Sequence, residues 1–365
     1  PGRLAAPLSS GAARPRLGAT ARAAMAPSIR APGAPKAAPS GALAVIARSV
    51  GTSTSRFAHT GSTNYGEGGP RIPAAAVSNT DADLLERLLA KGPVTVRLVL
   101  GCRPLPDATS ANVIGEVPGR ERPDEVVVVS GHLDSWDLGT GAVDDGAGVA
   151  IAIEAARLVS ELPRRPRRTI RVVLFANEES GLAGGKGYVA RHAAELPKHA
   201  GAFEADSGTG APQGFSWNAA DTLEPALAAV AKVLEALGAG TLRKGGAGGA
   251  DVSPMLASGV PLFGLRQDSA TYFDVHHTAD DTFDKIEPAS LDQLLHRPPA
   301  LAHHGRGLEQ HLVELEEAPA QPEPAPGGAL DQPLAGQARQ DLADRRFGPG
   351  QLGRQLGDAQ LGAIE

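Results

Sequence analysis

Four stretches of this chain are apolar runs that stop abruptly in a polar cluster, and this pattern limits the fold more than any other feature of the sequence. They are VVVVSGHLDSWD, VVLFANEES, FEADSG and YFDVHHTADDT. NVIGEV, EVVVVSG, TIRVVLFA and AGAFEAD read as strands. Between and after them GAGVAIAIEAARLVSEL, GGKGYVARHAAEL and LEPALAAVAKVLEALG carry apolar residues at helical spacing. Strands alternating with amphipathic helices predict an α/β fold, a mostly parallel twisted sheet with helices on both faces. The carboxyl ends of its strands are where such a sheet presents its chemistry.

The polar clusters contain the right side chains for that place. In chain order they supply His132, Glu179, Asp206 and His277, and the Gly-rich turn GTGAVDDGAG, which opens a helix, adds Asp144. Two imidazoles and three carboxylates suit zinc. If one carboxylate bridges, each of two ions receives one histidine, one terminal carboxylate and a share of the bridge. Taken singly, each piece has a plainer reading. An HxD at a strand end is usually a satisfied surface pair, adjacent acids such as Glu178 and Glu179 usually solvate a turn, and the His276–His277 pair passes for an exposed loop. Five such fragments in one order are hard to attribute to coincidence.

SGHLDSWDLGTGAVDDGAG, with its Trp136 and Asp137, together with ANEESGLAGG, EADSG and HHTADDT, resembles the blocks of the M28 zinc peptidases, and within them the carboxypeptidase Q-like branch. The resemblance runs from about Val45 to Leu295. It implies the zinc-dependent exopeptidase fold with two Zn²⁺, one held by His132, Asp144 and Asp206 and the other by Asp144, Glu179 and His277. It also implies Asp134 as an acid that orients the His132 ring, Glu178 as the catalytic base, and a cis peptide between Asp144 and Asp145.

The chemistry of the residues agrees. Peptide hydrolysis needs a strong nucleophile at neutral pH, a proton shuttle and a sink for the oxyanion. Zinc lowers the pKa of a bound water to about 7 in favourable sites. Glu178 adjoins a ligand but is not needed to complete the set of five, which leaves it free to carry a proton. No Ser or Cys nucleophile is required, and Cys102, the single cysteine, reads as incidental. GGAGGADVSPMLASGVPLFGL has the look of a loop followed by a helix, with Asp251 and Ser253 as candidates to touch substrate or to cap that helix. Tyr272 and Phe273, just before the last ligand, are candidates for the pocket wall or for core. The run Arg164-Arg165-Pro166-Arg167-Arg168 lacks interleaved aromatics and reads as a solvated turn.

A net charge of −6 argues against nucleic acid or an acidic membrane surface as partner, and no apolar stretch of about 18 residues suggests a transmembrane helix. Short peptides are the expected partners, with room left for a homodimer. Residues 1–41 and 296–365 are low in complexity and expected to have little fixed structure and few contacts with the core. Residues 42–102, with the helical stretch DADLLERLLAKG, resemble part of a protease-associated insert, and 103–295 form the catalytic domain. Against that family the chain reads as truncated or altered at both ends. Its first residues carry arginines without the apolar centre of a signal peptide, whereas the resemblance implies a periplasmic or secreted protein. Three functions follow: a zinc exopeptidase of the aminopeptidase or dipeptidase kind, a different amidohydrolase or glutaminyl cyclase on the same scaffold, and a non-catalytic scaffold. The complete ligand set favours the first.

Overall fold

The chain was described from a computed structural model covering residues 33–67, 71–103, 105–294 and 314–317. It begins with a short helix α1 (Gly33–Ala37), followed by strands β1 (Val45–Arg48) and β2 (Ala74–Val77), which pair in parallel as a separate two-stranded sheet. Helix α2 (Asn79–Leu89) starts where Ser78 accepts a hydrogen bond from the Asp81 amide at 3.1 Å, an N-cap that satisfies one of the helix's orphan donors. The apolar run VTVRLVL (residues 94–100) takes no regular element. Most of the two low-complexity ends lies outside the described residues. Within them, residues 33–37 are helical and Glu314–Glu317 form a strand.

The main sheet holds β3 (Ala111–Val117), β4 (Arg122–His132), β5 (Arg168–Phe175), β6 (His199–Glu204), β7 (Pro212–Asn218), β8 (Thr241–Lys244), β9 (Leu262–Gln267) and the edge strand β10 (Glu314–Glu317). Their order is β10-β3-β5-β4-β6-β9-β7-β8. The central run β5-β4-β6-β9 is parallel throughout, while β3, β7 and β10 join antiparallel neighbours. From β4 the chain passes to β5 on one side and afterwards to β6 on the other, which opens a crevice at the carboxyl end of β4.

Side-chain alternation along β4 separates the two faces. Val126 and Val128 join Ile114, Val173, Phe175, Tyr188, Met255 and Leu262 in one buried cluster. Each such side chain, when fully buried, contributes about 1.5–3 kcal/mol. Tyr188 belongs to helix α4 (Ala183–Arg191), so that helix covers this face. On the other face helix α3 (Ala147–Ser160) approaches so closely that a Cβ on Gly131 would lie 2.8 Å from the Gly148 carbonyl carbon. Helices α5 (Glu224–Leu234), α6 (Tyr272–Val275) and α7 (Pro288–Leu294) complete the set. No helix among the described residues is long and apolar enough to cross a membrane.

Two of the segments read as helical differ in the structure. GGKGYVARHAAEL is helical only to Arg191, with Pro197 in the short 3-10 turn that follows. GGAGGADVSPMLASGVPLFGL contains no α-helix. It is a turn, a 3-10 segment (Ser253–Ser258) with Pro254 in its first turn, and then β9, which inserts beside β6 in the middle of the sheet. Gly259, at φ 76°, ends the 3-10 segment in the left-handed region, and Pro261 follows it, so the chain leaves the helical path.

The start of α3 and the end of β6 meet at Gly148, where any Cβ would overlap the Ala205 carbonyl oxygen. Gly148→Ala is therefore expected to cost about 1–3 kcal/mol or more through overpacking. Urea unfolding measures it, and an unchanged midpoint would show that the two elements are not in contact.

Candidate metal centre

His132 is the last residue of β4, paired in register with Phe175, the last of β5. Glu178 and Glu179 follow three and four residues after Phe175, and Asp206 comes two after Glu204, the last residue of β6. Because these strands are parallel neighbours, their ends lie together. The loop after β9 and α6 brings in His277, and the turn before α3 brings in Asp144. The five predicted residues converge.

Asp144 is the hinge of the cluster. Its Oδ1 lies 3.2 Å from His132 Nε2, which is 3.8 Å from Asp206 Oδ1. Its Oδ2 lies 3.3 Å from His277 Nε2, which is 2.9 Å from Glu179 Oε2. The two oxygens of one carboxylate thus face two different imidazole–carboxylate pairs. Donor atoms of His132, Asp144 and Glu179 all lie within 4.8 Å of one another, as do those of His132, Asp145 and Asp206 and those of Asp144, His276 and His277. Asp144 Oδ2 and Glu179 Oε1 are buried and accept no hydrogen bond. Buried acceptors without donors are costly, and a cation satisfies them.

Both imidazoles are set to offer a lone pair. His132 Nδ1 is 2.9 Å from the Asp134 carbonyl oxygen and His277 Nδ1 is 3.2 Å from that of Thr60. A carbonyl only accepts, so each Nδ1 carries the hydrogen and each Nε2 faces the acids. Burial works against charge on His132, but bonds to Asp144 and Asp206 outweigh it and hold its pKa well above the ordinary value. His277 is pushed up to about 9 in the same way, by Asp144 and Glu179. Burial raises Asp144, yet its contacts with His132 and His277 prevail and leave it well below the usual carboxylate range. Asp206 is raised by burial. The pocket demands positive charge.

Asp134 acts differently from the expectation. Its main chain, not its carboxylate, meets the His132 ring; the nearer carboxylate oxygen is 3.8 Å from Nδ1. Its two oxygens instead accept the amides of Glu178 at 2.9 Å and Glu179 at 3.2 Å, fixing the turn that carries both acids. That turn needs fixing, since Asn177 sits at φ 61°. Burial pushes Glu178 up to about 7. The peptide between Asp144 and Asp145 is cis.

The four candidate substrate residues separate. Tyr272 lines a cavity of about 240 Å³ with Val143, Ser207, Thr209 and Val275, the chain neighbours of Asp144 and Asp206 among them. The Phe273 ring lies 5.2 Å from that of His276, and its carbonyl bonds His59 Nε2. Ser253 caps nothing; its hydroxyl donates to the Ala250 carbonyl within its own turn. Asp251 is wholly buried with neither carboxylate oxygen hydrogen-bonded, and burial, reinforced by Glu204 and Glu178, pushes it up to about 9.

Several residues of the site were missed in the sequence. His276 stacks on His277 at 3.6 Å and puts its Nε2 3.2 Å from Asp144 Oδ2. Asp145 accepts the His132 amide at 2.9 Å and the Gly148 amide at 3.1 Å. Asp281 accepts the amides of Val143 at 2.7 Å and Asp144 at 3.1 Å. Residues 49–60 also reach the site. Asp274 accepts the amides of Thr52 and Ser53, and the Thr60 amide and hydroxyl both bond the His277 carbonyl, at 2.7 and 2.9 Å. Spacing gave no sign of this contact, because more than two hundred residues separate the partners. Asp281→Ala should destabilise the chain by about 1–3 kcal/mol for each stranded buried amide. Denaturant unfolding reads this loss, and a change below about 0.5 kcal/mol, that of an ordinary surface substitution, would remove Asp281 from the scaffold.

Residues 112–297 match the family described as Peptidase family M28. Over 264 residues the chain is 38% identical to carboxypeptidase Q of Mus musculus, covering 72% of this chain and 56% of that one. It is 36% identical to the Homo sapiens protein over the same shares. The chain thus spans little more than half the length of these relatives. A crystal structure of a peptidase M28 precursor from Shewanella amazonensis matches with a TM-score of 0.66 and 47% identity, over 73% of this chain and 61% of that one. BSAP, a zinc aminopeptidase from Bacillus subtilis, shares the fold at a TM-score of 0.50 and 24% identity, over 72% of this chain and 63% of its own.

Proposed function

Because the chain belongs to peptidase family M28, we propose that it is a two-zinc metalloexopeptidase, an aminopeptidase or dipeptidase acting on short peptides with a free amino terminus. The observation that carries this reading is the position of Asp144, whose two oxygens face separate imidazole–carboxylate pairs. His132, Asp144 and Asp206 would hold one Zn²⁺, and Asp144, Glu179 and His277 the other. A bound zinc pair supplies an acidified water and polarises the scissile carbonyl.

The chain's own residues do the rest. Glu178 is held beside the ligands by the bond from its amide to Asp134, while its carboxylate makes no contact that commits it elsewhere among the described residues. Its carboxylate takes the proton from the attacking water and passes it to the leaving amine. Burial pushes the Glu178 carboxyl up to about 7, and cations bound beside it would favour the ionised form. Asp206 and Glu179 are the acids nearest to a substrate's free amine. The cavity beside Tyr272 suits one side chain. A periplasmic or extracellular setting, which the sequence resemblance implies, fits this reading.

Assay of unblocked and N-acetylated dipeptides, with wild type and Glu178→Gln, tests the proposal. Wild type should cleave the free-amine substrate far better, with kcat/KM rising with pH as Glu178 ionises and activity lost to chelators. Glu178→Gln should retain zinc and lose roughly 10²–10⁴-fold in turnover. Equal cleavage of both substrates, or near-normal turnover in the variant, would overturn the exopeptidase reading or the assignment of the base.

A further inference from the structure

Trp136 lies in the turn that follows β4, four residues after His132. Its indole Nε1–H donates to Glu179 Oε2 at 2.6 Å, a short bond to a carboxylate. The same oxygen is 2.9 Å from His277 Nε2, and the indole and His277 rings lie 5.7 Å apart at 52°. Asp134, two residues earlier, holds the Glu179 amide. One turn therefore holds Glu179 twice, by its main chain and by its side chain.

The chemistry of the donor matters. An indole nitrogen donates one hydrogen and has no lone pair for a metal. It carries no charge, so unlike a lysine or arginine it does not compete with a cation for the carboxylate. Its bond occupies one lone pair of Oε2 and leaves Oε1 buried and without a hydrogen-bond donor. A glutamate has three side-chain torsions, and most of their combinations would turn the carboxylate away from His277. Resting on the two-zinc reading, we infer that Trp136 is a positioning residue for Glu179, its indole N–H holding the carboxylate in the rotamer that meets the ion shared with His277.

The chain contains two tryptophans, and the other, Trp217, is buried in β7. Trp136 can therefore be read both by substitution and by its own emission. The full chain, stripped with a chelator, is titrated with Zn²⁺ in competition with an indicator. Trp136→Phe, which keeps a ring against His277 but has no N–H, is expected to weaken one of two zinc ions by about 10–100-fold and leave the other unchanged. In Trp217→Phe, zinc should change the emission of the remaining Trp136 in step with that ion, and this second readout stands even if Trp136→Phe does not fold. Wild-type affinity for both ions in Trp136→Phe, equal weakening of both, or a Trp136 emission indifferent to zinc would each overturn the inference. If wild type binds two ions while Trp136→Phe is unaltered, only this inference fails. A wild-type chain that takes up no zinc removes the two-zinc reading as well.

Discussion

Crowding of buried negative charge at one end of the sheet is the constraint on which the rest of the site depends. Asp144, Asp145, Glu179 and Asp206 come within a few ångströms of two histidines, and both His132 and Asp144 are almost completely buried. Isolated carboxylates do not survive such burial unpaired; they take up protons or cations. Both responses are visible: Asp145 and Asp206 are raised by burial, and the neighbouring imidazoles bind protons far more tightly than usual. A site with this charge is built to be neutralised from outside. The fold tolerates it because most of the acids are tied to main-chain amides or imidazoles.

Those ties form a consistent pattern. Asp134 holds the turn bearing Glu178 and Glu179, Asp281 holds the turn bearing Asp144, and Asp145 links the end of β4 to the start of α3. Main-chain carbonyls of Asp134 and Thr60 set the histidine tautomers. None of these bonds involves a predicted metal donor atom. These bonds position the turns that carry the candidate ligands and orient the two rings, as outer groups do in metal sites. The segment around Thr52 and Thr60 takes part in this although it precedes the main sheet, so residues 49–60 are a wall of the site.

Strands β4 and β5 were legible because they are long, β-branched and followed by helices of clear periodicity. EVVVVSG and TIRVVLFA needed no tertiary information to be read as strands. β7, β8 and β9 were not read, since TLRK is short and exposed and PLFGLRQ is broken by a glycine that lets the Gly248 carbonyl approach. For the site, the five converging residues were visible as polar clusters at strand ends. The supporting residues were not. Asp281 and His276 looked like ordinary loop residues beside a ligand, and the carboxylate of Asp134 bonds amides whose direction only the folded turn decides. A sequence displays donor types and spacing; which lone pair faces which hydrogen depends on the backbone path between them.

Anomalous diffraction at the zinc edge, from crystals of the chain grown with zinc, tests the central claim most directly. Two peaks about 3.5–4 Å apart are expected, one on the Oδ1 side of Asp144 with His132 and Asp206, the other on its Oδ2 side with Glu179 and His277. A single peak bound by only one of these pairs, or none between the five residues, would contradict it.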